Sequence, residues 1–181
     1  MISMNVNRVN ITFGSALPDG HAVQFWSTVE HLKATGWPTF VIEVGYSEGL
    51  SQFRADGQKW FHDSLGEVRL VLLILIKPTL RRLKFELWQL APVNAPRPLT
   101  RQYISALKAT NQRPPMGQQL ANQQPFCMQN VEVDTAQNGR NRVQGPLRLD
   151  CQALLDDPNP PTPNYFLGNM FFDFVTRDFW T

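Results

Sequence analysis

The chain has 181 residues, of which 43% are hydrophobic, a size and composition that suit one domain with a single ordinary core. Its 17 basic and 15 acidic residues give a formal net charge of +2, which excludes a strong overall positive field of the kind that indicates nucleic-acid binding. The two cysteines lack the spacing of a zinc site, and the most apolar run, residues 68–76, is too short to cross a bilayer.

The N-terminus lacks the basic region followed by a long apolar region that marks a secretory signal. We therefore expect an intracellular protein, of the cytoplasm or the nucleus, with reduced thiols at Cys127 and Cys151 and no membrane partner.

The first part of the chain predicts two strands and a connection. Residues 9–13 and 21–26 have the composition of extended segments on either side of a turn that contains Pro18 and Asp19. Because Pro-Asp-Gly is common turn chemistry, Asp19 has an ordinary structural explanation at this place. Residues 27–33 predict a short helix before the next strand.

Residues 39–47 predict a strand that is buried on both faces, because aromatic and β-branched side chains follow one another almost without interruption. Glu43 is the one ionisable group inside this run. Burying an unpaired carboxylate costs several kcal/mol, so Glu43 either reaches a wet cleft or has a partner such as an arginine, a lysine or a metal ion.

A helix and two further strands follow. Ser47 is a plausible N-cap, and apolar residues or glycine recur at helical spacing until Gly66, at Leu50, Phe53, Gly57, Trp60 and Phe61. Residues 68–76 predict a central strand. Residues 82–90 alternate between polar and apolar side chains, which predicts a half-exposed antiparallel partner. The fold class is therefore α/β, in the broader α+β sense, with a mixed central sheet flanked by helices.

The second half of the chain is rich in proline. Residues 91–124 predict a mobile loop rich in Pro, Gln and Asn. Residues 126–133 and 142–149 predict strands, and residues 166–180 a terminal helix. We expect this helix to dock onto the domain because it is too apolar for a solvated tail, through Phe171, Phe172, Phe174, Val175, Phe179 and Trp180.

The motif pattern of the first half resembles the PD-(D/E)XK superfamily, in its restriction-endonuclease-like branch. The resemblance lies in Pro18 and Asp19, then Glu43, Val44 and Gly45, then a helix with a central lysine. Residues 38–68 and the strand beyond are similar to a group of uncharacterised fungal Uma2-like proteins. The likeness covers residues 14–90 well, and residues 145–149 and the aromatic end with lower specificity.

The resemblance implies a nuclease-like core in residues 1–90, then the loop at 91–124, then strands and a docking helix of the same domain in residues 125–181. The superfamily core opens with a helix, but only 18 residues precede Asp19, which leaves open whether that first core helix is present.

The resemblance also implies Mg²⁺- or Mn²⁺-dependent hydrolysis of DNA. Asp19 and Glu43 match the two acidic metal ligands, and Gly45 stands where the signature has its lysine. Lys59 is then the nearest candidate for the catalytic lysine. A rim for the DNA backbone could come from Arg54, Arg81, Arg82 and Lys84, although a solvated helix face and a charged hairpin tip explain the same residues.

Two hypotheses therefore remain open from the sequence. The first is a metal-dependent endonuclease that acts on DNA through Asp19, Glu43 and Lys59. The second is a degenerate, non-catalytic domain of the same fold that binds nucleic acid or a protein, in which an arginine or lysine holds Glu43. A homodimer is compatible with both, and no small-molecule cofactor is indicated.

Overall fold

The computed structural model describes residues 2–4, 9–11, 27–28, 37–46, 49–116, 123–135, 141–143, 145–160 and 162–180. Strands β1 (Ile2–Met4) and β2 (Val9–Ile11) pair antiparallel. Asp19, its predicted turn and the predicted strand at 21–26 lie outside the described residues. The predicted helix at 27–33 is wrong at its start, because Ser27–Thr28 form strand β3.

The main sheet has six strands in the order β3-β4-β5-β6-β7-β8. The four long central strands are β4 (Phe40–Tyr46), β5 (Leu70–Lys77), β6 (Arg82–Leu90) and β7 (Pro125–Thr135). Strand β8 (Asn141–Val143) completes one edge. The pair β4/β5 is parallel and the other pairs are antiparallel, so the prediction of a mixed sheet flanked by helices is confirmed.

Helix α1 (Leu50–Asp63) connects the two parallel strands, as a parallel pair requires a crossover. Its buried residues are Phe53, Gly57 and Phe61, the face expected from the helical spacing. A Cβ at position 57 would lie 2.7 Å from Leu73 Cδ2, so glycine is what allows α1 to approach the centre of the sheet this closely. The predicted cap Ser47 lies outside the described residues, and Gly49 occupies the N-cap position.

The opposite face of the sheet is mainly apolar, with Gln129 of β7 as a polar exception that hydrogen-bonds to the backbone of Arg148, and it is covered by the end of the chain. Strands β9 (Leu147–Asp150) and β10 (Asn164–Leu167) form a small antiparallel sheet there, with α3 (Cys151–Leu155) between them in sequence. Helix α4 (Asn169–Trp180) packs Phe172, which is fully buried, against Phe85 with ring centroids 5.0 Å apart. Of the side chains predicted to dock, Phe172 and Val175 are buried, and those of Phe174, Phe179 and Trp180 lie outside the described residues.

Residues 91–124 differ from the predicted loop, because α2 (Arg101–Ala109) lies within them. Thr100 caps this helix by accepting a hydrogen bond from the Tyr103 backbone N–H at 3.2 Å. Leu107 is buried in a small cluster with Ala91, Phe126 and Met128. The apolar side of α2 therefore packs on this cluster, and that tertiary contact explains why the segment forms a helix. The surrounding prolines make this helix hard to recognise in the sequence.

The predicted strand at 142–149 is two strands, β8 and β9, separated near Gly145. Gly145 has φ +79°, a left-handed conformation that glycine adopts at little cost and that interrupts the extended run.

Candidate functional site

Glu43 lies in the middle of β4, on the face of the sheet that α1 covers, and its exposure is only 5%. The indole Nε1–H of Trp60, on α1, donates a hydrogen bond to Glu43 Oε1 at 2.6 Å. The Trp60 ring in turn meets Trp37 edge to face, with centroids 6.2 Å apart. The hydrogen bond that the structure describes at Glu43 therefore comes from an indole N–H, whereas the sequence predicts an arginine, a lysine or a metal ion as the partner. This hydrogen bond joins α1 to the sheet.

Gly45, two residues further along β4, is a packing position. A Cβ built there would lie 3.0–3.1 Å from three ring atoms of Phe53. Phe53 is itself buried under α1 and cannot easily withdraw. A lysine at the place where the superfamily signature has one would therefore require the ring that holds α1 in position to shift by a few tenths of an ångström.

Lys59 is exposed on α1 and is paired with Asp56, whose Oδ1 lies 2.7 Å from Lys59 Nζ. The hydrogen bond and charge of Asp56 raise the pKa of Lys59 above its ordinary value, and Asp63 and Glu43 add smaller contributions. Lys59 is thus within electrostatic reach of Glu43, while its described hydrogen bond is to Asp56.

Glu86, on β6, is a second buried acid, which sequence reasoning missed. Glu43 pairs with Leu73 of β5, and Leu73 pairs with Glu86, so the two acids share one face with a single strand between them. Glu86 is 2% exposed. The alternation along β6 predicts a solvent-facing side for the strand that includes Glu86, and the position of α1 turns that side into an interior.

Glu86 is held by several donors. Arg54 of α1 donates from Nη2 to Oε1 at 2.6 Å and from Nε to Oε2 at 2.8 Å. Lys84 Nζ lies 3.3 Å from Oε1, and Trp88 Nε1 donates to Oε2 at 3.2 Å. Burial by itself raises the pKa of Glu86, but the hydrogen bonds and charges of Arg54 and Lys84 outweigh it, so the pKa ends below its ordinary value.

Three of the four predicted rim cations are engaged with carboxylates of the same sheet. Arg54 binds Glu86, as described above. Lys84 also lies 3.3 Å from Glu132, and Arg82 is paired with Asp134 and lies 3.9 Å from Glu132. Arg81 is exposed in the turn before β6, with φ +46°. The local charge around Arg54, Arg82 and Lys84 is therefore balanced, with three cations facing three carboxylates.

Comparison of the chain with protein-family models, with curated proteins and with solved structures gave no match. The likeness to the PD-(D/E)XK superfamily accordingly stays a prediction.

The predicted Mg²⁺ site is described only in part. Asp19, the first predicted ligand, lies outside the described residues. Within the part of the chain that the structure describes, no three His, Cys, Asp or Glu side chains come together as metal ligands. Glu43 uses one carboxylate oxygen to accept a hydrogen bond from Trp60.

None of the helices in the part of the chain that the structure describes is both long and apolar enough to span a membrane.

Proposed function

We propose that this chain is a non-catalytic, protein-binding domain with a restriction-endonuclease-like sheet. The observation that carries the proposal is the contact between Gly45 and Phe53. In the signature that the sequence resembles, the lysine two residues after the second acid stabilises developing negative charge. Here that place is filled by the Phe53 ring, whose atoms lie 3.0–3.1 Å from the site of a Cβ at position 45.

The partner of Glu43 supports the same conclusion. Its carboxylate accepts a hydrogen bond from Trp60 and so helps to position α1. A buried carboxylate that accepts a short hydrogen bond from a neutral donor is stabilised without a metal ion. Glu43 then has a structural role that accounts for an acid inside an apolar strand.

A protein partner is favoured over nucleic acid by the charges and by the exposed apolar groups. The cations Arg54, Arg82 and Lys84 are balanced by carboxylates, which weakens the attraction of this surface for phosphates. Large apolar side chains are instead exposed where β10 leads into α4, at Tyr165 (39%), Phe166 (63%) and Met170 (87%). Exposed apolar groups close together in the chain are typical of surfaces that bind proteins.

The decisive experiment is a plasmid-nicking assay with Mg²⁺ and separately with Mn²⁺, together with DNA binding followed by fluorescence anisotropy. We expect no metal-dependent nicking and only weak, salt-sensitive DNA binding. The matched variant is Glu43→Gln, which keeps an oxygen that can accept from Trp60 while removing the charge. Nicking by the wild-type protein that Glu43→Gln abolishes would refute the proposal.

The surface for the protein partner can be tested by placing a photo-crosslinking residue at position 166 in the cell. We expect a specific adduct from position 166 and none from position 52, where Gln52 is an exposed residue of α1 outside the apolar stretch. Equal adducts from the two positions would contradict the proposal that the exposed apolar residues form the binding surface for a protein.

The second candidate function is the metal-dependent endonuclease, with Asp19 and Glu43 as Mg²⁺ ligands and Lys59 as the auxiliary cation. The observation that favours it is the nearness of Lys59 to Glu43, since the Glu43 charge contributes to the raised pKa of Lys59. In the same nicking assay, this function requires that Asp19→Asn, Glu43→Gln and Lys59→Met each abolish cleavage.

A further inference from the structure

A pocket of about 280 Å³ lies between α1 and the place where β6 and β7 pair. Its apolar lining includes Phe61 and Leu90, which are 3% and 5% exposed. Pro125 of β7 is opposite Leu90 in the sheet and also lines the pocket. The volume is close to the lower end of the roughly 300–1,000 Å³ that is usual for small-molecule sites, so a ligand would be small.

One side of the pocket is basic. Lys59 and His62 stand three residues apart on α1 and therefore lie on neighbouring positions of one helix face. None of the described residues that line the pocket is acidic, although the carboxylates of Asp56, Asp63 and Glu43 act on Lys59 from outside this lining. Asp56, the partner of Lys59, does not line it, and a lysine ammonium group has further N–H donors beyond the one that Asp56 accepts.

The other side of the pocket is held in place by a buried amide. Gln123 lines the pocket and donates from Nε2 to the carbonyl oxygen of Ala91 at 2.8 Å. This bond ties the segment before β7 to the end of β6, which the pairing of Leu90 with Pro125 also joins.

We infer that this pocket binds a small organic carboxylate. The apolar body of the ligand rests on Phe61 and Leu90, and its carboxylate lies between Lys59 and His62. An apolar floor beside a described lining that includes a lysine and a histidine and no carboxylate matches a ligand that is apolar at one end and anionic at the other. Glu43 and Gly45 do not line the pocket, so this inference stands apart from the function proposed above.

The test is a nuclear magnetic resonance titration of the whole chain with benzoate, followed at the His62 ring and the Leu90 methyl groups. Benzamide is the matched probe, because it has nearly the same shape and no charge. We expect saturable shifts at both residues with benzoate, and affinity for benzamide that is weaker by about tenfold, since charge-assisted hydrogen bonds are roughly twice as strong as neutral ones.

The variants Lys59→Met and His62→Gln should each weaken benzoate binding by about three- to tenfold, and Lys59→Arg should retain it. Arg101→Gln removes an exposed positive charge on α2 and should leave the affinity unchanged. Lys59 and His62 are exposed, so these variants are expected to fold, which thermal unfolding checks. The inference is overturned by the absence of saturable shifts, by equal affinity for benzamide, or by an equal loss of affinity in Arg101→Gln.

Discussion

Trp60 and Glu43 join α1 to the centre of the sheet through one hydrogen bond of 2.6 Å between the indole Nε1 and a carboxylate oxygen. Arg54 makes the equivalent connection to Glu86 two strands away. Gly57, which touches Leu73, lies midway between Arg54 and Trp60 in the helix. These three contacts therefore hold α1 against the sheet. Its middle packs on Leu73, and hydrogen bonds to buried acids lie one turn before and one turn after that point.

The first prediction concerns Trp60→Phe, which keeps an aromatic ring and removes the N–H donor. We expect the free energy of unfolding to fall by about 1–3 kcal/mol, because a buried carboxylate loses a hydrogen bond. Urea denaturation measures the change. In the background Glu43→Leu the same substitution should cost less by at least about 0.5 kcal/mol, and strictly additive effects would mean that the two residues are not coupled.

The second prediction concerns Gly57→Ala in α1. Alanine is a better helix former than glycine by about 1 kcal/mol, yet its Cβ would lie 2.7 Å from Leu73 Cδ2. We expect a net loss of about 1–3 kcal/mol from overpacking. The control is Ala55→Gly at an exposed position of the same helix, where glycine should be the worse residue by about 1 kcal/mol. A stabilised Gly57→Ala protein would mean that α1 is not in close contact with β5.

The third prediction concerns Gly45→Lys, which restores the lysine of the superfamily signature. We expect it to lower the unfolding free energy by about 1–3 kcal/mol or more, because the side chain must displace the Phe53 ring, and to produce no nicking activity. Ser51→Lys, at an exposed site in the first turn of α1, provides the same added charge and should change stability by less than about 0.5 kcal/mol. Metal-dependent cleavage by Gly45→Lys would count in favour of a functional acidic site.

The fourth prediction concerns the dependence of stability on pH. The folded-state pKa of Glu86 is below its ordinary value of 4.5, so the ionised carboxylate stabilises the folded state above that value. This contribution is lost as the pH falls below 4.5 and through the lowered folded-state pKa. Glu86→Gln should therefore be less stable than the wild type at neutral pH, and the difference should shrink in acid.

Urea midpoints measured from neutral pH into the acid range follow this difference. Asp63→Asn, which removes an exposed carboxylate at the end of α1, is the matched control and should change stability at neutral pH by less than about 0.5 kcal/mol. If the gap between Glu86→Gln and the wild type stays constant with pH, the Arg54 and Glu86 pair does not stabilise the fold through its charge.

The fifth prediction concerns the docking of α4. Phe172 is fully buried against Phe85, so Phe172→Ala should cost about 3–5 kcal/mol. Met170, two residues earlier and therefore on the other side of the helix, is 87% exposed, and Met170→Ala should stay within about 0.5 kcal/mol of the wild type. Equal effects of the two substitutions in thermal or urea denaturation would mean that α4 does not pack on the sheet.

Much of the fold could be predicted from local patterns. The apolar run of β4, which only Glu43 interrupts, and the apolar run of β5 predict buried strands. The recurrence of Leu50, Phe53, Gly57 and Phe61 predicts α1 and its inward face. These patterns are readable because the periods of helix and strand follow from backbone geometry within a few residues. The stripe of α2 is shorter, and the prolines and glutamines around it led to the wrong prediction of a loop.

The partners of the buried polar groups could not be predicted in this way. The sequence indicates that Glu43 needs a partner. Trp60 can be that partner only because α1 packs on the sheet with Trp60 next to Glu43. Glu86 reads as a residue on a half-exposed strand face until α1 covers that face and brings Arg54 to it. Gly45 reads as a missing lysine until the Phe53 ring is seen to occupy its place. Contacts of this kind depend on the register of the strands and the position of the helix, which are properties of the whole packed domain rather than of any stretch of the chain.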